Sequence, residues 1–249
     1  MSQITAAQVS NQTIISNTAA PTASKYASGE FFEFLWRTAG VQSVGLFVVA
    51  YIIYGYQPGV GASADSLVAF YSGQSTRVLI AAILGGMSVL NLMWFAGTLR
   101  ATLAEEGRDG WGAAATTAAA MTGGLFLLLI ALGSGLSFSS GTVNQSFVSG
   151  VNDLSWAIVV LSSFARAMLI MSGVFGLWRA SLISNSVFAI GVVGGVVLEL
   201  VGGMTWIGGG LLAPDGIYNR FVTPFILVVW VFGVTKVLLR RRPANGFGW

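Results

Sequence analysis

Neither cysteine nor histidine occurs among the 249 residues of this chain. Their absence excludes disulfides, zinc sites built on thiolate or imidazole, cysteine-held iron–sulfur clusters, and histidine-ligated haem or chlorophyll. It also excludes a cysteine nucleophile and a histidine general base. The nine acidic residues are scattered along the chain and form no dense set of metal ligands. We therefore expect neither a metal site nor an enzyme built on the common catalytic sets.

Charge is scarce as well. Only 8% of the residues are charged, whereas 55% are hydrophobic; soluble domains carry roughly 25% charged residues. This composition is typical of a polytopic membrane protein, which we expect in the cytoplasmic (plasma) membrane. The net charge of +3 does not indicate nucleic-acid binding, because basic residues beside membrane helices set their topology.

Six long apolar segments follow one another along the chain. Each has about 20 residues or more, the length that an α-helix needs to cross ~30 Å of hydrocarbon. They lie at 38–57, 77–99, 111–136, 154–178, 186–211 and 219–239. The sequence therefore predicts an all-α fold, with one transmembrane domain of six helices over residues 38–242.

The two ends of the chain differ from this domain. Residues 1–28 are rich in Ser, Thr, Ala, Asn and Gln, a composition typical of a disordered tail. Residues 29–37 are aromatic and charged at their edges, and we expect them to lie at the membrane interface before the first span. Residues 243–249 form a short C-terminal tail.

The basic residues predict the orientation. Of the 12 Lys and Arg residues, only Arg77 and Arg220 fall on the side opposite the N-terminus, and Arg166 lies within a span. The others share the N-terminal side, so both termini are predicted to be cytoplasmic. A basic run that directly follows the last span adds to this bias and can attract anionic lipid headgroups. It comprises Arg240, Arg241 and Arg242.

The composition of two loops predicts local structure in them. Residues 137–153 are polar and lack Lys and Arg, so we expect an external loop there. Asn152 or Asp153, at its end, could cap the fourth helix. In the loop between the first two spans, an apolar patch at 67–71 favours a short helix on the surface.

Arg166 is the residue that most directly suggests a functional site. It lies near the middle of the fourth span, where a guanidinium is costly unless it faces protein or a wet cavity. Glu199, in the fifth span, is the candidate partner, because both residues lie about 12 residues, or ~18 Å, from the outer ends of their spans. Facing stripes of small and polar residues would let the two helices approach closely. The stripes contain Ser155, Ser162 and Gly173 on the fourth span, and Gly191, Gly195, Gly202 and Gly209 on the fifth.

Two roles are open for this pair. It is either a structural ion pair that locks the fourth helix to the fifth, or a transport site for a proton, an ion or an anionic substrate group. The structural role is favoured, since no histidine or further acid stands ready to pass a proton on. Ser162 is a supporting polar residue one turn before Arg166. Asn91, in the second span, is another; it could bond to a neighbouring helix, but a packing role is favoured.

Three stretches carry a resemblance to a known group of proteins. They are FYSGQSTR at 70–77, WFAGTLRATLAEE at 94–106 and NDLSW at 152–156. With them, residues 40–242 resemble uncharacterised six-helix integral membrane proteins that are common in actinobacteria. The resemblance implies a six-helix membrane bundle, and it brings no assigned activity or catalytic residue. Arg166 departs from that group, in which this position is usually apolar.

These observations favour a non-enzymatic protein, namely a structural or accessory subunit of a membrane assembly. Its expected partners are membrane lipids and other membrane-protein chains or further copies of itself. No cofactor is predicted, although apolar grooves leave room for lipid, quinone or carotenoid. The alternative is a small-solute or ion transporter with Arg166 and Glu199 at a midplane site. An enzyme would have to work with Asp153, Glu199, Arg166 and hydroxyl groups alone.

Overall fold

A computed structural model describes the backbone of residues 23–240 and the side chains of residues 34–240. Of the polar tail expected over residues 1–28, residues 1–22 lie outside the described part of the chain. Arg241, Arg242 and the C-terminal tail also lie outside it. The chain divides into two units, Met1–Phe34 and Leu35–Trp249. In the first unit the described backbone is helical. All side-chain contacts given below belong to the second unit.

The part of the chain that the structure describes is helical, and no strand occurs in it. Its α-helices are α1 (Ala23–Tyr54), α2 (Ala64–Tyr71), α3 (Ser75–Glu105), α4 (Asp109–Ser139), α5 (Gln145–Arg179), α6 (Asn185–Gly191), α7 (Leu198–Gly203) and α8 (Thr223–Arg240). A π-helical segment, Val192–Val197, joins α6 to α7, and another, Tyr218–Val222, leads into α8.

Six of the described helical stretches are long and apolar enough to cross a membrane. They are α3, α4, α5, the part of α1 over Phe34–Tyr54, the broken helix Asn185–Gly203, and Tyr218–Arg240. The predicted all-α bundle of six spans is therefore confirmed. The cytoplasmic location of the termini stays a prediction.

Two of the spans end in the same local structure. At the end of α3, Gly107 has a φ of +68°, and the N–H of Arg108 donates to the carbonyl of Leu103 at 2.7 Å. Ser181, with a φ of 57°, ends α5 in the same way. This is the Schellman motif, which satisfies carbonyl groups of the last helical turn.

The central helix of the bundle is α5. In its most apolar stretch 67% of the residues are buried, against 22% to 44% in the other five spans. The fifth span approaches it at glycines, as the stripe expected on that span predicts. A Cβ added at Gly195 would meet Ile170 at 2.8 Å, and one at Gly202 would meet Ser163 at 2.9 Å. Gly209, the last member of the expected stripe, lies beyond the end of α7. The matching stripe expected on the fourth span is wrong, since a Cβ added at Gly173 would meet Trp230 of α8 at 2.5 Å rather than the fifth span.

The short helix expected at 67–71 is α2, but one of its faces is buried rather than on the surface. Its buried residues Leu67, Phe70 and Tyr71 form a small cluster with Val78, Leu136 and Val148. Apolar side chains on one face of an eight-residue helix are withdrawn from water by this packing. As a result, α2 covers the ends of α3, α4 and α5 on one side of the bundle.

The external loop expected at 137–153 is much shorter than predicted, because α5 already begins at Gln145. The cap is Asn144, whose side chain accepts a hydrogen bond from the N–H of Ser146 at 2.8 Å. Neither Asn152 nor Asp153 caps the helix, so that expectation is wrong. The first turns of α5 contain polar residues that are typical of a loop. In the structure, however, Val148 and Asn152 of these turns are buried beneath the preceding segments of the chain.

The fifth span ends at Gly203 rather than at residue 211, and short 3₁₀ turns occupy part of residues 204–217. Gly210 has a φ of +60°, and a Cβ at Gly216 would lie 2.5 Å from the carbonyl oxygen of Leu211. Such positions require glycine and keep residues 210–216 from forming a continuous helix. Glu199 is therefore about one turn from the end of α7, and the depth estimate counted from residue 211 is wrong.

Candidate functional site

Arg166 and Glu199 form an ion pair inside the bundle. The Nε atom of Arg166, on α5, lies 3.0 Å from Oε2 of Glu199, on α7, and their side chains are 3% and 0% exposed. The sequence placed these two residues together, and the structure brings them into contact. Glycines on the fifth span permit the approach, since a larger residue at Gly202 would collide with Ser163.

Two serines of α5 complete the coordination of the guanidinium. Nη1 of Arg166 donates to Ser162 Oγ, and Nη2 donates to Ser163 Oγ at 2.7 Å. Ser162 therefore has the supporting position expected for it, whereas Ser163 was not singled out from the sequence. Each guanidinium nitrogen thus has a partner, which offsets much of the cost of burying the charge.

Two buried oxygen atoms next to this network lack a hydrogen-bond partner among the described residues: Oε1 of Glu199 and Oδ1 of Asn219. The amide of Asn219 has a definite orientation, because its Nδ2 donates to the carbonyl of Pro214 at 3.0 Å and to Thr205 Oγ1 at 2.7 Å. Since only the nitrogen can donate to a carbonyl, Oδ1 is the free acceptor. A buried acceptor without a donor is costly, so such a pair calls for an explanation.

A cavity of about 200 Å³ lies between α1, α3, α4, α5 and the segment that leads into α8. Its wall is largely apolar and includes Phe47, Val89, Phe126 and Ile130. It extends from Gln57, beyond the end of α1, to Arg166 in the middle of α5. The cavity therefore connects one end of the bundle with the buried ion pair.

Arg220 lies on the wall of the same cavity. Its guanidinium carbon is 4.0 Å from the ring centre of Tyr56 and 4.4 Å from that of Trp156, which stabilises the cation. Its Nε and Nη1 donate to the main-chain carbonyls of Asp215 and Gln57, both at 2.7 Å. Although it is only 5% exposed, no carboxylate of the described chain forms an ion pair with it.

Polar contacts hold the segment after α1 against α5 at this end of the cavity. Oδ1 of Asn152 accepts from the hydroxyl of Tyr71 at 3.0 Å and from Nε2 of Gln57 at 3.2 Å. Trp156 Nε1 donates to the carbonyl of Pro58 at 2.9 Å. Burial raises the pKa of Tyr71 to about 12, although hydrogen bonds to neighbouring side chains oppose the shift. This network positions Trp156 against Arg220.

The remaining candidates from the sequence lie apart from this site. Asn91 is buried and its Nδ2 donates to the carbonyl of Met87 in its own helix at 2.9 Å, which agrees with the favoured packing role rather than with a bond to another helix. Arg240 is exposed at the end of α8. Its contact with lipid headgroups stays a prediction. Asp153 is partly exposed and accepts from the N–H of Gly61 at 3.0 Å.

Family models, curated proteins and solved structures were compared with this sequence and fold. None of them matches the chain. The resemblance to six-helix actinobacterial membrane proteins therefore stays a prediction, and the argument for function rests on the site itself. What the described part of the chain shows is a multi-pass membrane protein with a cavity that reaches a buried ion pair.

Sequence reasoning missed Arg220, Asn219 and Trp156 as parts of the site. Arg220 and Trp156 have the positions that topology-determining and interfacial residues usually occupy at the end of a span. The sequence holds one signal that distinguishes Arg220: it follows Asn219 directly, and no other charged residue occurs before Lys236. Arg220 is recognisable as a second cation of the cavity only in the structure, where α5 and the segment before α8 lie side by side.

Proposed function

We propose that this protein is a membrane transporter for a small solute, with the cavity as its binding site and Arg166 and Glu199 at its inner end. The observation that carries the proposal is that the cavity has Arg166 on its wall, while Glu199 lies behind Arg166 and does not line the cavity. A purely structural ion pair has no need of a cavity on one side. A transport site needs both an access route and a charged group near the middle of the bundle.

The broken fifth span gives further support. Glu199 lies on α7, which has six residues and stands between the π-helical segment Val192–Val197 and the turn Thr205–Ile207. Interrupted helices with π-helical or unwound turns occur frequently at functional sites, and in transporters they hold the substrate or coupling ion. A short helix between two irregular segments can also move with less disruption than a continuous span.

Cysteine accessibility tests the proposal directly, because the natural chain contains no cysteine. Single variants Ser155→Cys and Ser162→Cys place a thiol on the cavity wall. In proteoliposomes, a charged methanethiosulfonate reagent should modify both from one side of the membrane, since the reaction needs a hydrated thiolate. Ser155 is the safer of the two positions, because its hydroxyl bonds only to Val151 O in its own helix.

Leu161→Cys is the matched control. Leu161 is the neighbour of Ser162 in the chain, is 48% exposed on the outer surface of the bundle, and does not line the cavity. Its thiol should face lipid and stay unmodified. If the two cavity variants are as inert as Leu161→Cys from both sides of the membrane, the cavity is closed to water and the transport proposal is wrong.

A structural or accessory subunit of a membrane assembly is the second candidate. The observation in its favour is an exposed apolar stripe along the fifth span, formed by Ile190, Val193, Val197 and Val201. A partner chain could cover this stripe, as lipid could. Extraction in mild detergent, followed by analysis of the co-purifying chains, distinguishes the two. A fixed partner that protects Val193→Cys from an apolar maleimide would support the subunit, whereas a lone chain would count against it.

A further inference from the structure

We propose that the cavity binds a small organic monoanion with an apolar body, and that Glu199 takes up one proton when this anion binds to Arg166. The inference rests on the transport function proposed above and names its substrate class and its coupling. Four observations support it: the charge of the wall, its apolar remainder, the shared position of Arg166, and the two acceptors without donors.

The charge of the wall selects the ligand. Two guanidinium groups line the cavity, those of Arg166 and Arg220, and no Asp or Glu side chain of the described residues does. Glu199 balances the first. Arg220 forms no ion pair in the described chain, although the Asp215 carboxylate lies near it: Asp215 Oδ2 and Arg220 Nη2 both lie within 4 Å of a Cβ added at Gly59. The wall thus offers guanidinium donors and no carboxylate, and charges attract more strongly in surroundings of low dielectric constant than in water, so the cavity favours an anion.

The apolar remainder of the wall selects the body of that ligand. Phe47, Val89, Phe126 and Ile130 offer no hydrogen-bond partner to a polar molecule. A cavity of about 150 Å³ lined by aliphatic and aromatic side chains accepts benzene. The cavity of about 200 Å³ found here therefore accommodates a body the size of one ring together with a charged group.

Arg166 links the cavity to the proton site. It lies on the cavity wall and holds Glu199 through Nε, so an anion that reaches it competes with Glu199 for the same guanidinium. The pair is neutral as it stands. With a monoanion bound to Arg166, that guanidinium, Glu199 and the anion would carry a net charge of −1 at the inner end of the cavity. Arg220 does not offset this charge locally, because it lies at the other end, against Gln57 and near Asp215. Proton uptake by the Glu199 carboxylate restores neutrality at the inner end. The anion and one proton would then move together, without net charge.

The protein already holds a place for that proton. Oε1 of Glu199 and Oδ1 of Asn219 are buried acceptors that lack a donor. Glu199 and Asn219 both lie near Gly202. Glu199 precedes Gly202 by about one helical turn in α7, and a Cβ added at Gly202 would lie 3.4 Å from Asn219 Oδ1. A proton on Glu199 removes the charge from a carboxylate whose Oε1 is buried without a partner, which reduces the cost of its burial.

Few other groups can share the titration. The charged or titratable side chains that face Glu199 are Arg166 from α5 and Tyr218 from the segment before α8. The hydroxyl of Tyr218 donates to the carbonyl of Leu198 at 2.7 Å. The adjoining segments Val192–Val197 and Thr205–Ile207 contain no titratable residue. A proton taken up on binding is therefore assigned to Glu199.

Benzenesulfonate is a suitable probe, because it is the anion of a strong acid and carries no proton of its own near pH 8. Calorimetric titration of the purified full-length protein in two buffers of different ionisation enthalpy gives both the affinity and the protons taken up. We expect close to one proton per benzenesulfonate bound. Methanesulfonate, which lacks the ring, and benzenesulfonamide, which lacks the charge, should each bind at least about tenfold more weakly.

Variants separate the parts of the proposal. Glu199→Gln, which imitates the protonated carboxyl group, should bind benzenesulfonate at least as tightly as the natural protein but without proton uptake. Arg220→Gln should weaken binding about tenfold or more with proton uptake per bound anion unchanged. Glu105→Gln, at the exposed end of α3, is the matched control and should behave like the natural protein.

Three results would overturn the proposal. Binding by the natural protein without proton uptake removes the coupling, and so does undiminished uptake in Glu199→Gln. If none of the three probes binds while Ser155→Cys and Ser162→Cys react in the accessibility test, the substrate class is wrong and the transport function stands. If those cysteines are inert as well, both proposals fail together.

Discussion

Arg166 and Glu199 are joined by a 3.0 Å contact between Nε and Oε2, with almost no exposed surface on either side chain. Removal of one partner leaves the other charge buried and unpaired, which typically costs about 3–5 kcal/mol. We therefore expect Arg166→Met to lower the thermal stability of the purified protein severely. The double variant Arg166→Met/Glu199→Leu should be more stable than this single variant, because it buries no charge. A double variant that melts no higher than Arg166→Met would contradict this account of the pair.

Helix packing at glycine gives a second prediction. A Cβ on Gly173 of α5 would lie 2.5 Å from Cζ2 of Trp230 on α8, and Trp230 already packs edge-on against Phe95 at 5.8 Å. Gly173→Ala should therefore destabilise the protein by about 1–3 kcal/mol through overpacking. Gly124→Ala in α4 is the control, since an added Cβ there meets nothing within 4 Å. Equal melting temperatures for the two variants would show that α8 does not pack on α5 in this way.

The raised pKa of Tyr71 predicts a loss of stability at high pH. Its pKa rises from the usual 10.0 to about 12, so between these values the unfolded chain has released a proton that the folded chain still holds. The stability that Tyr71 contributes is complete below pH 10 and is lost as the pH approaches 12, by about 2–3 kcal/mol.

Comparison with Tyr71→Phe isolates this effect from the other tyrosines. At pH 8 the variant should be less stable by about 1 kcal/mol, because the hydrogen bond to Asn152 is lost. Between pH 10 and pH 12 the variant should lose less stability than the natural protein, so the difference between the two melting temperatures should shrink and then change sign as the pH approaches 12. A constant difference across this range would mean that Tyr71 titrates normally.

The predicted orientation can be tested with the same cysteine-free background. Thr142, between α4 and α5, and Glu105, at the end of α3, are both exposed and lie at opposite ends of α4. In intact cells an impermeant maleimide should label Thr142→Cys at once and Glu105→Cys only after permeabilisation, because most basic residues share the side of Glu105. The reverse pattern would place both termini outside.

The spans were predictable because the hydrocarbon of the bilayer restricts which segments can cross it. A helix in hydrocarbon must be apolar over about 20 residues and must satisfy its backbone internally. The six apolar runs therefore match six helices in number and order. The pairing of Arg166 with Glu199 was predictable for a related reason: a charge in such a run needs a partner, and the neighbouring span offers one acid.

The ends of the helices were not predictable in this way. Hydropathy reports the transfer of a segment into lipid, and it says nothing about helices that continue beyond the bilayer under the cover of other segments. Asn152 illustrates the point, since it lies inside α5 and holds the main chain at Gly59 through its Nδ2 at 2.9 Å. The segment after α7 contains glycines at which a Cβ would collide with the backbone of residues several positions away in the chain, and hydropathy does not report such contacts.

The amino-acid sequence by itself determined that this is an all-α membrane protein of six spans, that it lacks thiol and imidazole chemistry, and that a buried charge lies in its fourth span. Only the tertiary structure decided that Arg166 faces a cavity, that Arg220 is a second cation on the same wall, and that Glu199 and Asn219 keep free acceptors next to the ion pair. The physical reason is that hydrophobicity and charge act on each segment separately. A cavity and its electrostatic character arise only from the way several segments pack together.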